Sequence, residues 1–144
     1  MTDTTAAVVP VVTRANALHE DTGHSGGAHR LSGVSIHSSP ATKIWFGRVS
    51  NEPGFRSLPH HHGEAETGGY VLIGHGRIYF GEGYQEYVDM TAGDFVFVPP
   101  FMPHVEVNMS TTEELVWLTA RTPDNIVVNL PDVDDSTLAG YRRA

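Results

Sequence analysis

From Thr42 onward the sequence is cut by turn signals into short runs of β-favouring residues, and this punctuation limits the fold more than any other feature. The runs are Lys43–Val49, Arg56–His62, Thr67–Ile73, Arg77–Phe80, Gln85–Met90, Asp94–Val98, His104–Asn108, Glu114–Ala120 and Asn125–Leu130. Between them stand Glu52-Pro53-Gly54, Gly74-His75-Gly76, Gly81-Glu82-Gly83, Ala92-Gly93 and Pro99-Pro100. Many short strands at intervals of ~8–12 residues predict an all-β sandwich or barrel. Before Ala41 the chain reads as a loop-rich arm, because Gly23, Gly26, Gly27 and Gly33 with several Ser and Thr break any helical period. His24 and His29 in that arm read as exposed loop residues. Only the tail, around Asp135–Arg143, reads as a short helix, with Ser136 as its N-cap. The predicted division is therefore an arm over 1–41, a β-barrel over 42–130 and a tail over 131–144.

Length and charge narrow the class of function. At 144 residues the chain makes one domain that can bury a proper core. It carries 17 Asp and Glu against 9 Lys and Arg, with no basic stripe, so neither nucleic acid nor an anionic membrane surface is an expected partner. No apolar run approaches the ~20 residues that span a bilayer. The N-terminus has no basic region before its apolar patch, so no signal peptide is predicted and the cytoplasm is the expected location. The absence of cysteine removes thiolate ligands, disulfides and thiol nucleophiles together.

Chemistry concentrates in His60-His61-His62-Gly63-Glu64-Ala65-Glu66 and in His104 some forty residues later. Side chains alternate faces along a strand, so His60 and His62 point one way and His61 the other. Two imidazoles on one strand, a carboxylate just beyond and a third imidazole from a distant segment make a donor set for a divalent transition metal. Glu106 and Asn108 share the face of His104 if that strand is regular. A carboxylate at Glu106 either orients an imidazole, acts as a general base, or pairs with a rim cation such as Arg48 or Arg77. Arg48, Arg56 and Arg77 are the candidates for clamping a substrate carboxylate. Trp45 and Phe46 are adjacent, so only one of them faces the interior.

Written as spacings, Gly54-x5-His60-x-His62-x3-Glu66 is followed by Gly93-x5-Pro99-x4-His104-x3-Asn108. This resembles the paired signatures of the cupin family, the RmlC-like jelly rolls, over roughly residues 42 to 120. The resemblance implies a double-stranded β-helix with a metal inside, held by His60, His62, Glu66 and His104. There are two departures. Phe101 stands where the second signature has glycine, which implies a turn built differently. Counting back seven residues from Gly74, where the family's glutamate commonly falls, reaches Thr67 rather than Glu66. Either a β-bulge at Gly68-Gly69 turns Glu66 inward as the fourth ligand, which is the favoured reading, or the centre has three histidines with Thr67 lining the cavity.

The same resemblance implies one divalent transition metal per chain (Fe, Mn, Ni, Cu or Zn) and a small-molecule substrate. The leading expectation is an oxygenase acting on an aromatic or dicarbonyl-type compound, with Glu106 as the catalytic residue. A redox-neutral lyase, decarboxylase or isomerase, and a non-catalytic small-ligand binder, are the alternatives. A homodimer is expected because open sheets need their edges covered, with the N-terminal arm available to supply an exchanged strand.

Overall fold

The computed structural model describes residues 9–21 and 27–144, so His24, Gly23 and Gly26 lie outside the described residues. Eleven strands run in chain order: β1 (His19–Asp21), β2 (Ala28–Val34), β3 (Trp45–Asn51), β4 (His60–His61), β5 (Glu66–Ile73), β6 (His75–Phe80), β7 (Glu86–Thr91), β8 (Phe95–Val98), β9 (His104–Asn108), β10 (Leu115–Thr122) and β11 (Val128–Asn129). They form two antiparallel sheets facing each other, one ordered β1-β2-β3-β10-β5-β8 and the other β11-β4-β9-β6-β7. This is the all-β architecture that the turn spacing predicts and the jelly roll that the family resemblance implies. Among the described residues no helix is long and apolar enough to cross a membrane.

Strict alternation builds the core. On β3, Trp45, Gly47, Val49 and Asn51 face inward while Phe46 and Arg48 face out. Opposite them on β10, Leu115, Trp117, Thr119 and Arg121 pair in register with Asn51, Val49, Gly47 and Trp45. Val49, Val71, Ile78, Met90, Val98, Leu115 and Trp117 fill the space between the sheets at one end. The other end is lined by polar side chains and holds the histidines.

Asn108 explains its place in the second signature without any metal. Its fully buried amide donates to the carbonyls of Asn51, Glu52 and Glu113 at 3.2, 3.1 and 2.8 Å, and its Oδ1 accepts from Ser110 N. One side chain thus ties the end of β9 to the far sheet and to the turn that follows.

Three local expectations change. The arm is not only loop: β1 and β2 extend the six-stranded sheet of their own chain, β2 pairing with β3 from Ala28↔Asn51 to Val34↔Phe46. The arm therefore closes on its own chain, and His29 lies on the exposed side of β2. The tail makes a single 3-10 turn, Asp135–Thr137, capped by Asp134, whose carboxylate accepts from Ser136 N. No longer helix forms, because the tail is held extended across β6 and β9. Leu138 is buried with Tyr79, Val105 and Val107, and Arg56 bridges to Asp132 and Asp135.

Gly74-His75-Gly76 is a corner rather than a hairpin turn. It carries the chain from β5 in one sheet to β6 in the other. Gly74 has φ of 100°, and a Cβ there would sit 2.7 Å from the Glu114 carbonyl oxygen. Both the backbone conformation and the close approach need glycine. Gly74→Ala is expected to cost at least ~1–2 kcal/mol of stability, read as a lower urea midpoint with unchanged slope. The same change at Gly68, whose Cβ position is open, is expected to be close to neutral.

Candidate metal centre

Strand parity carries His60 and His62 to the interior, and His104 lies directly across from His60 in the β4–β9 register. Leu58-Pro59 precedes the pair, and β4 is only two residues long, so the predicted strand over Arg56–His62 is mostly loop, with Arg56 making one bridge to Val107. Loop backbone has free carbonyls, and the imidazoles use them. Nδ1 of His60 bonds Leu58 O at 2.8 Å, Nδ1 of His62 bonds Ile126 O at 2.7 Å, and Nδ1 of His104 bonds Met102 O at 2.9 Å. A carbonyl only accepts, so each Nδ1 carries the proton and each Nε2 presents a bare lone pair.

Those three lone pairs converge on a carboxylate. Oε1 of Glu106 lies 3.6 Å from His60 Nε2, 3.8 Å from His62 Nε2 and 3.4 Å from His104 Nε2. One ligand atom from each of the four residues lies within 4.8 Å of all the others. His60 Nε2 is buried with no hydrogen-bond partner. Apart from Arg121 Nη2, which reaches the edge of His62, no donor serves these acceptors, and they repel one another unless a cation sits between them. A proton bridges one pair, whereas a divalent ion satisfies all four. The donor chemistry therefore fits a transition metal with three nitrogen ligands and one oxygen.

Glu66 does not join this group. It is exposed at the start of β5, paired in register with Thr122, while Thr67 is 3% exposed and faces inward. The Gly68-Gly69 stretch pairs regularly with Ala120 and Thr119. The irregularity in this ladder falls further along, where Val116 and Trp117 face Ile73 and Val71. It leaves Leu72 as the extra residue, too late to turn Glu66 inward. The carboxylate that groups with the three histidines is instead Glu106, the residue expected to be catalytic. Phe101 also differs from expectation. It adopts the left-handed φ of 58° that glycine would take there, so the turn keeps its conformation, and its N–H donates to Gly63 O at 2.8 Å.

The expected arginine clamps face elsewhere. Arg48 lies on the outer side of β3, Arg56 is held by the tail aspartates, and Arg77 is held by Asp89 at 2.6 Å. The cation that does reach the cluster is Arg121. It is 2% exposed, donates through Nε to Thr67 Oγ1 at 3.0 Å and through Nη1 to Asn125 Oδ1 at 2.7 Å, and places Nη2 3.4 Å from His62 Nε2. Continuing the β10 alternation one residue past Ala120 would have found it. His61 sits at the rim as expected, its Nδ1 accepting from Gly63 N. His75 is half exposed and bonds Asp89.

Burial sets the protonation of the cluster. It lowers the His60 imidazole below its usual 6.5 and, with Arg121 nearby, takes His62 down to about 4. His60 and His62 are thus unprotonated donors near neutrality. In the metal-free chain, unfolded His62 takes up a proton near 6.5 but folded His62 only near 4. Unfolding therefore binds protons in that window, and stability falls as pH drops through it, by on the order of 3 kcal/mol for His62. Urea melts in chelator at pH 7, 5.5 and 4 should show this decline, and His62→Gln should flatten it. An equally steep decline in that variant would place the acid sensitivity elsewhere.

The cupin domain family matches residues 47–121. No curated protein matches the chain by sequence. Among solved structures, an S161A mutant of Bacillus subtilis oxalate decarboxylase aligns at 26% identity and TM-score 0.62, over 74% of this chain and 29% of that one. Oxalate decarboxylase from Lactobacillus farciminis, in a formate complex, aligns at 22% identity and TM-score 0.66, over 80% of this chain and 34% of that one. The chain thus spans about a third or less of the length of either decarboxylase. KdgF from Halomonas sp. aligns at 15% identity and TM-score 0.63, over 81% of this chain and 96% of that one. With the family signature matched across both metal-facing strands and a jelly roll that overlays these structures, the chain belongs to the cupin family.

Proposed function

We propose that the chain is a metal-dependent enzyme in which His60, His62, His104 and Glu106 hold one divalent transition metal and a small-molecule substrate reacts beside it. The observation that carries this reading is the convergence of four buried ligand atoms on one point, with His60 Nε2 left without a hydrogen-bond partner. When bound, such an ion supplies Lewis acidity and, if redox-active, electron transfer to O2. The chain supplies the rest. Backbone carbonyls fix the imidazole rings, Thr67 and Asn125 hold the Arg121 guanidinium against the cluster, and Trp45 lies beside that guanidinium with its ring 5.6 Å away. Paired sheets exclude water from the reacting atoms.

Oxygenation of a dicarbonyl-type compound is the first reading of the reaction. The groups that adjoin the cluster, Arg121 and Thr67, are cationic and hydroxylic, which favours a dicarbonyl over a flat aromatic substrate. A redox-neutral decarboxylase or lyase is the second reading, favoured by likeness to Bacillus subtilis oxalate decarboxylase, one of whose structures is described by its Mn(II) centres. Elemental analysis of untagged protein, followed by O2 uptake with dicarbonyl compounds, separates the two. Turnover with O2 consumption supports the first, and turnover without it moves the reaction to the second.

The ligand set has its own test. Glu106→Ala and His104→Ala are expected to lower metal occupancy at least tenfold, while Glu66→Ala and His61→Ala retain it, all read by metal analysis after dialysis. Loss of metal from Glu66→Ala with retention in Glu106→Ala would overturn the assignment.

The homodimer belongs to the same reading. The outer face of the six-stranded sheet carries Phe95 and Phe97 at 81% and 60% exposure beside a groove of about 450 Å³ floored by Gly68 and Ala120. Projecting rings next to a groove on one face make a self-complementary patch that a second copy covers about a two-fold axis. Sedimentation is expected to give a dimer at micromolar concentration and a monomer for Phe95→Lys. A monomeric parent overturns this.

A further inference from the structure

Two arginines point into the barrel from the six-stranded sheet, and among the described residues neither makes an ion pair with a carboxylate. Arg30 on β2 is 4% exposed, and its Nε is buried without a partner. Among the described residues no hydrogen bond or ion pair reaches its guanidinium. The obvious counter-ion is Asp21, directly across from it in the β1–β2 register. Asp21 is used otherwise: its carboxylate accepts from Trp45 Nε1 at 2.9 Å and stands 3.7 Å from His19. Arg121, equally buried, spends its donors on the neutral Thr67 and Asn125 and on the edge of His62. Arg121 is drawn by the Glu106 carboxylate and repelled by Arg30, so Arg30 is the one of the two with no carboxylate facing it among the described residues.

The wall between them is shaped by small residues. The row separating Arg30 from Arg121 runs Ser32, Gly47, Thr119 and Gly69 across β2, β3, β10 and β5. Trp45 leans over Gly47 and Trp117 over Gly69. The polar groups left facing inward are Arg30, Arg121 and the Thr119 hydroxyl, which is also buried and unpartnered. Glu106, the single carboxylate in the cluster, is already surrounded by three imidazoles.

Buried charge without a counter-charge destabilises a fold and persists where a ligand supplies the missing partner. We propose that Arg30, Thr119 and Arg121 form the seat for a carboxylate of the substrate, so that the chain acts on a small organic acid rather than a neutral compound. This rests on the reading of His60, His62, His104 and Glu106 as the reacting centre, which Arg121 adjoins. A planar guanidinium fork matches a carboxylate bidentately, and Thr119 supplies a hydroxyl between the two forks.

The test uses malonate as probe and malonamide as its neutral counterpart, titrated calorimetrically into protein as purified and after chelator treatment. Malonate is expected to bind in both forms and malonamide in neither. Arg30→Met should weaken malonate at least tenfold in both forms while leaving the ligand-free Tm equal to or above that of the parent, because an unpaired buried charge is gone. Arg30→Lys, which keeps the charge and loses the fork, should weaken it several-fold. Undiminished malonate binding in Arg30→Met overturns the proposal, and so does a lowered Tm or failure to fold, which would make Arg30 a structural residue. Arg30-dependent malonate binding in a parent that takes up no metal would sink the metal reading and leave this seat standing. Metal uptake with Arg30-independent malonate binding would do the reverse.

Discussion

Three hydrogen bonds from imidazole Nδ1 to backbone carbonyls set up everything that follows at this site. Each fixes a ring in two ways at once, choosing its tautomer and aiming its remaining lone pair. Because the acceptors are main-chain oxygens of Leu58, Ile126 and Met102, the aim is built into the loop backbone rather than into further side chains. Two of these loops carry prolines, Pro59 and Pro103, next to the histidines they serve. A residue following such a loop cannot rotate freely, so the rings arrive already oriented and little ordering is left for a ligand to impose.

The two sheets contribute unequally. The five-stranded sheet brings the imidazoles and Glu106, which is a negative donor set. The six-stranded sheet brings Arg121, Arg30, Thr67 and Thr119, a positive and hydroxylic wall. Their opposition across the barrel puts a cation-seeking side and an anion-seeking side face to face between the sheets. The arm strands β1 and β2 matter for this reason: without them the six-stranded sheet would lose Arg30 and the Asp21 carboxylate that positions the Trp45 indole.

Much of this was legible in the sequence. Turn residues marked the strands, and period-two alternation assigned His60 and His62 to one face, His61 to the other, and only one of Trp45 and Phe46 to the interior. What was illegible has physical causes. Parity along one strand cannot say where a bulge falls in its ladder, so the choice between Glu66 and Thr67 needed the β5–β10 register. Arg121 was hidden because the predicted strand stopped one residue short. Arg30 was hidden because glycines and serines around it imitate a loop, although its neighbours in space make β2 a strand. The tail was misread because Ser136 follows a better cap, Asp134, and because docking against β6 and β9 gives an extended chain more burial than a short helix would.

The position of Glu106 has a consequence for classification. Its carboxylate and the side chain of Thr67 approach the same region from opposite sheets, Glu106 against the Nε2 edge of His62 and Thr67 through the guanidinium of Arg121. An acid supplied from either wall reaches the same point in space, yet the two origins lie about forty positions apart along the chain. A scan that demands glutamate in the first signature would take Glu66 as the acid, although that residue is exposed and Glu106 is the one that faces the histidines. The donor set is a property of three-dimensional position, and a one-dimensional pattern records only one of the routes by which a polypeptide can deliver it.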